Sequence, residues 1–174
     1  FLSTTNTNAA LFDGEMSSLY ERVFAQHYHT DGPWKLMVRE SMMKAAPLSM
    51  APLILDLATG PGEPATQLGV ALPEATVIAS DIAPDMVAKA TERIEASGVG
   101  NVMPLLCDAQ DMHMVPSASQ DIVTCCYGFM FCPEPEKAFA EVERVLKPGG
   151  TLIACVWVDL AVMRLMREVM TTCL

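Results

Sequence analysis

The segment from Leu53 to Ala65 constrains the fold most, because it joins an apolar run directly to a glycine-containing loop. An apolar run without alternation is typical of a strand that is buried on both faces of a parallel sheet. Gly60 and Gly62 allow a sharp turn and the close approach of a ligand, because neither has a Cβ atom. The segment therefore predicts a buried strand that ends in a ligand-binding loop.

Two kinds of ligand use a loop of this type. Residues 60–65 fit the loose dinucleotide pattern G-x-G-x-x-G/A, in which backbone N–H groups hold a pyrophosphate. Asp56 precedes the loop and Glu63 lies within it, and like charges near a pyrophosphate would oppose its binding. A cationic ligand fits these residues better, and dinucleotide binding is the alternative.

Two further carboxylates follow predicted strands. Residues 75–80 predict a second strand that ends at Asp81, about 20 residues beyond the glycine loop, where nucleotide-binding sheets place a carboxylate for the ribose hydroxyls. Residues 102–107 predict a third strand, followed by Asp108. Pro104 within it lacks a backbone donor, which favours a position at the edge of the sheet. That position agrees with the doubly wound strand order 3-2-1-4-5.

The segment from Asp56 to Gly62 resembles the first motif of the S-adenosylmethionine-dependent methyltransferases with a Rossmann-like sheet. Ala58 stands where many members have their first glycine. Residues 141–150, a helix followed by a Pro-Gly-Gly turn, resemble the family's segment before its fifth strand. The resemblance is closest to the small-molecule group that includes the quinone C-methyltransferases, and it covers roughly Tyr20 to Trp157.

The resemblance implies S-adenosylmethionine as the cofactor and a set of residues that would bind it. Asp108 would accept a hydrogen bond from the adenine amino group, the backbone N–H of Ala109 would contact the ring, and Ile82 and Met86 would pack on its faces. The cofactor-binding residues predicted in this way are Asp56, Ala58, Gly60, Gly62, Asp81, Ile82, Met86, Asp108, Ala109, Cys126 and Tyr127.

We expect an α/β fold with a doubly wound, mostly parallel sheet and helices on both faces. Residues 46–174 would form the cofactor-binding core, and residues 1–45 an arm and a helical cover. The family's C-terminal strands are missing after the fifth strand, which would leave an exposed sheet edge. We therefore expect that the native protein continues, or that a second copy or a partner chain covers this edge.

The expected reaction transfers a methyl group to a small-molecule acceptor by in-line displacement. The aromatic segment 127–131 lines the acceptor pocket or, alternatively, packs beneath a helix. Candidate bases are Tyr20, His27, Tyr28 and His29, and none is singled out as catalytic. A nicotinamide-dependent oxidoreductase and a non-catalytic methyltransferase-like partner protein are the alternative functions.

Composition excludes other classes. The net charge of −10, with only 11 Lys and Arg residues, disfavours nucleic acid as a partner. The six cysteines lack metal-binding spacing, so we interpret them as reduced core residues in a cytoplasmic protein. Asp108, Asp111 and His113 are interpreted as contacts with water rather than metal ligands. No apolar run reaches membrane-spanning length, so no membrane insertion is expected.

Overall fold

A computed structural model describes residues 50–156 together with Gly14, Ser17 and Ser18. The predicted arm and helical cover therefore lie outside the described residues, apart from those three positions. In chain order, residues 50–156 form β1 (Leu53–Leu57), α1 (Ala65–Ala71), β2 (Thr76–Asp81), α2 (Pro84–Ser97), β3 (Val102–Leu106), β4 (Gln120–Cys126), a 3-10 turn (Phe129–Phe131), α3 (Pro135–Val145) and β5 (Leu146–Cys155).

The five strands form one parallel sheet in the order β3-β2-β1-β4-β5. This confirms the predicted doubly wound order. Pro104 lies on β3 at one edge of the sheet, where its missing N–H removes no internal hydrogen bond. Strand β1 lies in the centre, and the apolar run that predicted it is buried on both faces.

Alternate residues of the central strands supply the two cores on either side of the sheet. Ile54 packs with Ala65 and Leu68 of α1 and Ile94 of α2 on one face. On the other face, Leu55 belongs to the core that α3 covers with a buried stripe, which consists of Ala138, Val142 and Val145. Helices therefore cover both faces, as the fold prediction required.

Helical spacing predicts Phe139 on the inner face of α3 and Val87 on that of α2. The prediction for Phe139 is wrong: this residue is 48% exposed, because it lies beside the buried stripe of α3, and its ring meets that of Phe129 at a centroid distance of 4.7 Å. In α2, Met86 is buried with Ala90 and Ile94, whereas Val87 is only half-buried. Tertiary contacts rather than helical periodicity alone decide which neighbour faces the sheet.

The Pro-Gly-Gly segment lies within β5 rather than before it. Leu146 pairs with Gln120 and Thr151 pairs with Ile122, so residues 147–150 bulge out of the ladder. Gly149 adopts a positive φ of 83° there, which favours glycine. The predicted turn is therefore a bulge inside the strand.

Asn101 fastens the connection between α1 and β2 to the start of β3. Its side-chain Nδ2 lies 3.2 Å from the carbonyl oxygen of Gly69, 3.0 Å from that of Leu72 and 2.9 Å from that of Ala75. These carbonyls belong to the end of a helix and the turn after it, where backbone acceptors lack helical partners. The amide thus supplies donors that the backbone does not.

We predict that Asn101→Ala lowers the free energy of unfolding by about 1–3 kcal/mol, because it leaves these carbonyls without their donor. Asn101→Asp should lower it further, since a carboxylate oxygen would replace the donor and repel the carbonyls. Denaturant titration measures both values. The control is Glu74→Ala, an exposed residue of the same connection; a loss in Asn101→Ala no larger than in this control would contradict the prediction.

Candidate cofactor site

A crevice opens at the carboxyl ends of β1, β2 and β4. Strand β2 pairs with one side of β1, and β4 pairs with the opposite side of β1. The direction in which successive strands are added to the sheet therefore reverses at β1. Open α/β sheets bind ligands at such a switch point. The crevice is lined by Ala58, Gly60, Asp81, Ile82, Met86, Cys107, Asp108, Ala109, Cys125, Cys126, Tyr127, Gly128, Phe129, Phe131 and Cys132.

The glycine loop begins with two left-handed residues. Ala58 has a φ of 52° and Gly60 a φ of 56°, and both line the crevice. A non-glycine residue in this region costs roughly 1–2 kcal/mol. The backbone N–H of Thr59 donates to the carbonyl of Ser80 at 2.8 Å, which fixes the loop to the end of β2. The neighbouring strand thus holds the loop in its turned conformation.

Gly62 and Glu63 face away from the crevice. A Cβ atom at Gly62 would lie 3.1 Å from the Cα atom of Ala90, so this glycine allows the loop to pack on α2. Glu63 is buried, and its Oε1 lies 3.6 Å from Nη1 of Arg93. From the sequence, Glu63 was interpreted as a charge beside the ligand. The ion pair between Glu63 and Arg93 makes that interpretation wrong.

Asp81 joins the loop to the start of α2. Its Oδ2 accepts a hydrogen bond from the Gly60 N–H at 2.8 Å, and its Oδ1 accepts one from the Ala83 N–H at 3.0 Å. Ile82 and Met86 follow it along the wall of the crevice. The carboxylate is therefore preorganised in the position that the spacing from the loop predicted.

Asp108 and Ala109 lie on the neighbouring wall, directly after β3. The Asp108 Oδ1 accepts from the backbone N–H of Gln110 at 2.8 Å, and its carbonyl accepts from the Asp111 N–H at 3.0 Å. The resulting turn directs residues 108 and 109 into the crevice. Local backbone donors hold the Asp108 side chain in place.

The loop that carries Asp108 is fastened to α3 by an arginine. Arg144 forms two hydrogen bonds with the Glu141 carboxylate, at 2.6 and 2.7 Å, and donates to the carbonyls of Met112 and Val115. Glu141 also accepts from the Met112 N–H at 2.7 Å. The hydrogen bonds from Arg144 lower the pKa of Glu141. A charge-assisted network therefore positions this wall from outside the crevice.

Asp56 lies beneath the crevice rather than in its wall. Its side chain is fully buried, and its Oδ1 accepts a hydrogen bond from the Thr124 hydroxyl. Burial raises its pKa to about 7, a shift that the hydrogen bond from Thr124 opposes. Of the predicted cofactor-binding residues, Asp56 and Gly62 do not line the crevice, and the other nine do.

The wall formed by the end of β4 contains Cys126 and Tyr127, which were predicted, and several residues that were not. Tyr127 has a φ of 61°, and its N–H donates to the Cys155 carbonyl at 2.8 Å. The unpredicted residues are Cys107, Cys125 and Cys132, while Gly128, Phe129 and Phe131 belong to the aromatic segment assigned to the acceptor pocket. Their small size or apolar character gave no signal that distinguishes a ligand wall from a core.

The thiols of the crevice are held in the neutral form. Burial raises the pKa of Cys107 to about 11, and the nearby Asp108 contributes. Burial also raises the pKa of Cys125 and of Cys132. A neutral thiol is a poor nucleophile, so these side chains serve as apolar wall.

Comparison with known proteins gives consistent matches. The family model described as "Methyltransferase domain" matches residues 54–150. A demethylmenaquinone methyltransferase of Thermus thermophilus is 37% identical over 126 residues, covering 72% of this chain and 54% of the relative. A malonyl-[acyl-carrier protein] O-methyltransferase of Marinomonas sp. is 29% identical over 152 residues, covering 87% and 55%.

Among solved structures, a phosphoethanolamine N-methyltransferase 2 of Haemonchus contortus, in complex with S-adenosyl-L-methionine, aligns with a TM-score of 0.72. It is 21% identical, and the alignment covers 94% of this chain and 39% of that one. This match shows a shared fold. The chain spans about half the length of the curated relatives it matches. Within the part of the chain that the structure describes, none of the helices has the length and apolarity needed to cross a bilayer.

Gly128 is the contact point between the loops after β1 and β4, and we predict that a methyl group there forces them apart. A Cβ atom would lie 2.5 Å from the Ala58 Cβ and 2.7 Å from the Cys125 Sγ. Gly128→Ala should therefore lower the free energy of unfolding by about 1–3 kcal/mol, as overpacking does. Denaturant titration measures the loss.

Adding Ala58→Gly should recover part of this stability, because it removes one of the two clashing atoms and suits the left-handed backbone at residue 58. Gly100→Ala is the matched control, since a Cβ atom at residue 100 meets nothing within 4 Å. If the double variant is no more stable than Gly128→Ala alone, the contact with Ala58 does not limit this position.

Proposed function

Because the chain belongs to the methyltransferase domain family, we propose that it binds S-adenosylmethionine and transfers the methyl group to a small-molecule acceptor. The observation that carries the proposal is the crevice at the switch point, where Asp81 and Asp108 stand on neighbouring walls beside the glycine loop. A carboxylate for the ribose, a second for the base and a turned loop form a site for a nucleoside.

The residues that line the crevice fit this cofactor in their chemistry. Asp81 would hold the ribose hydroxyls, Asp108 and Ala109 would hold the edge of the adenine, and Ile82 and Met86 would pack on its faces. The wall contains no Lys, Arg or His among the described residues that line it, which agrees with a ligand that carries positive charge. Gly128 lets the loops after β1 and β4 meet at the crevice, because a Cβ atom there would clash with Ala58 and Cys125.

When bound, the cofactor supplies a methyl group that its positive charge already activates. The residues of this chain then have to align the acceptor and exclude water, and positioning alone accelerates such transfers greatly. Tyr127 and Gly128, at the end of β4, would direct the acceptor toward the crevice. The candidate bases of residues 20–29 lie outside the described residues, so we assign no proton acceptor.

We propose a small and largely apolar acceptor. Phe129, Phe131 and Cys132 form the part of the crevice beyond the predicted nucleoside contacts, and the Phe129 ring is braced by Phe139. A phosphorylated acceptor would need cationic partners, and the described lining residues offer none. The demethylmenaquinone methyltransferases among the relatives are consistent with an apolar acceptor.

We further propose a cytoplasmic location, supported by the free thiols of the five described cysteines. Cell fractionation tests it. A second copy or a partner chain over the edge of β5 stays a prediction, and light scattering of the purified protein would detect either.

We predict that isothermal titration calorimetry detects binding of S-adenosylhomocysteine and no binding of NADH at the same concentration. The two carboxylates of the crevice suit an uncharged nucleoside and oppose a pyrophosphate. The reverse preference would favour the nicotinamide-dependent alternative. If neither ligand binds and another protein copurifies with the chain, the results would favour the non-catalytic partner protein.

We also predict that Asp108→Asn changes the preference for the base. An amide can donate a hydrogen bond where the carboxylate only accepts, so the variant should lose about tenfold or more in affinity for S-adenosylhomocysteine relative to S-inosylhomocysteine. Competition binding measures the ratio. Asp111→Asn, an exposed carboxylate of the same loop, is the control; an unchanged ratio in Asp108→Asn would remove the adenine contact from the proposal.

A further inference from the structure

The carboxyl group of Asp56 is a buried polar group that the proposed contacts leave without a role. It lies near the end of the central strand β1, two residues before Ala58 in the wall of the crevice. Its Oδ1 accepts from the Thr124 hydroxyl, while its Oδ2 has no hydrogen-bond partner among the described residues. An unpaired oxygen of a buried carboxylate is costly, and a proton on that oxygen removes most of the cost.

Other acidic and neutral groups surround this carboxyl. Glu63 from the glycine loop and Asp81 from β2 both raise its pKa. On β4, burial and the charge of Asp56 both raise the pKa of Cys125. The pKa of Cys126 is raised by its hydrogen bond with Cys155 and by burial, and the charge of Asp56 contributes. Among the described residues, the groups with the largest effects on the pKa of Asp56 are carboxylates and threonine hydroxyls, and none of these is a cation.

The Thr59 hydroxyl is close enough to lower the pKa of Asp56, although its geometry gives it no hydrogen-bond partner among the described residues. The cationic Arg93 of α2 is paired with Glu63. Within the part of the chain that the structure describes, Asp56 is therefore surrounded by acidic groups and has no counter-charge beside it. A positive charge in the crevice would supply what the surrounding residues do not.

We propose that Asp56 senses the charge of the ligand in the crevice, being ionised beneath a sulfonium cofactor and protonated beneath the neutral thioether that remains after methyl transfer. The inference rests on the proposed function and assigns a positioning role to a residue that does not line the crevice. Below the pH at which free Asp56 ionises, binding of the sulfonium releases one proton from Asp56 to solvent, and one proton returns once the charge has gone.

This linkage makes the crevice select the cofactor over its product. S-adenosylmethionine and S-adenosylhomocysteine share the nucleoside, the amino group and the carboxylate, and they differ in the methyl group and its charge. At a pH where free Asp56 is already ionised, the sulfonium gains the attraction of that charge at no protonation cost. Product binding gains nothing from it, so the preference for the cofactor grows as pH rises.

The test measures the dissociation constants of both ligands by calorimetry between pH 6 and pH 8 with the 174-residue chain. Because the pKa of free Asp56 is about 7, the ratio of the constant for S-adenosylmethionine to that for S-adenosylhomocysteine should fall about tenfold between these limits. Titrations in two buffers of different ionisation enthalpy should also detect proton release with the sulfonium alone. A ratio that does not change with pH overturns the proposal.

Two variants separate the charge of Asp56 from its shape. Asp56→Asn should abolish the pH dependence of the ratio. Thr124→Val removes the hydrogen bond that lowers the Asp56 pKa. The fall in the ratio of dissociation constants should therefore move to higher pH, while the affinity for S-adenosylhomocysteine stays the same. An unmoved profile in Thr124→Val, or a retained dependence in Asp56→Asn, overturns the proposal.

The free chain gives an independent readout. The pKa of Asp56 rises from 3.8 in the unfolded chain to about 7 in the folded one, so its contribution to stability is lost as the pH rises between these two values. The melting temperature should therefore fall over this pH range, and Asp56→Asn should lose this part of the fall. If the melting temperatures of the parent chain and of Asp56→Asn change with pH in parallel, the inference is overturned. If S-adenosylhomocysteine binds but the ratio is flat, only the role of Asp56 fails; if neither ligand binds, the proposed function fails as well.

Discussion

The hydrogen bonds that Asp81 accepts are the constraint on which the rest of the crevice depends. One oxygen binds the Gly60 N–H and the other binds the Ala83 N–H, so a single carboxylate connects the loop after β1 to the start of α2. Two backbone donors on one carboxylate are strong, because the acceptor is charged. Both elements are therefore fixed relative to each other before any ligand arrives, and a preorganised site loses less free energy on binding.

The sequence predicts the fold well where one requirement dominates. The run from Leu53 to Leu55 is apolar because both of its faces are covered, and Pro104 belongs to an edge strand because it cannot donate to the ladder. Prediction is poorer where neighbours compete. Helical spacing favoured Phe139 on the inner face of α3, whereas the packing of that helix buries the smaller neighbour Ala138.

The site follows the same rule. Residues at the end of a strand or just beyond it, such as Asp81 and Asp108, reach the crevice because the carboxyl ends of parallel strands meet at one edge. The sequence does not distinguish a side chain that faces this edge from one buried just below it. Asp56 was therefore predicted as a ligand contact although the sheet encloses it. Glu63 was misinterpreted for a related reason, since its partner Arg93 lies thirty positions along the chain.

The crevice concentrates local costs that the surrounding structure has to offset. Ala58 and Tyr127 adopt left-handed backbone conformations in the loops after β1 and β4, and Asp56 is buried beneath them with no counter-charge among the residues that the structure describes. Strained conformations persist only where neighbouring contacts fix them. Here the residue after Ala58 donates to the Ser80 carbonyl, and Tyr127 donates to the Cys155 carbonyl. Each strained turn is thus tied to the adjacent strand, so the parallel sheet itself maintains the shape of the crevice.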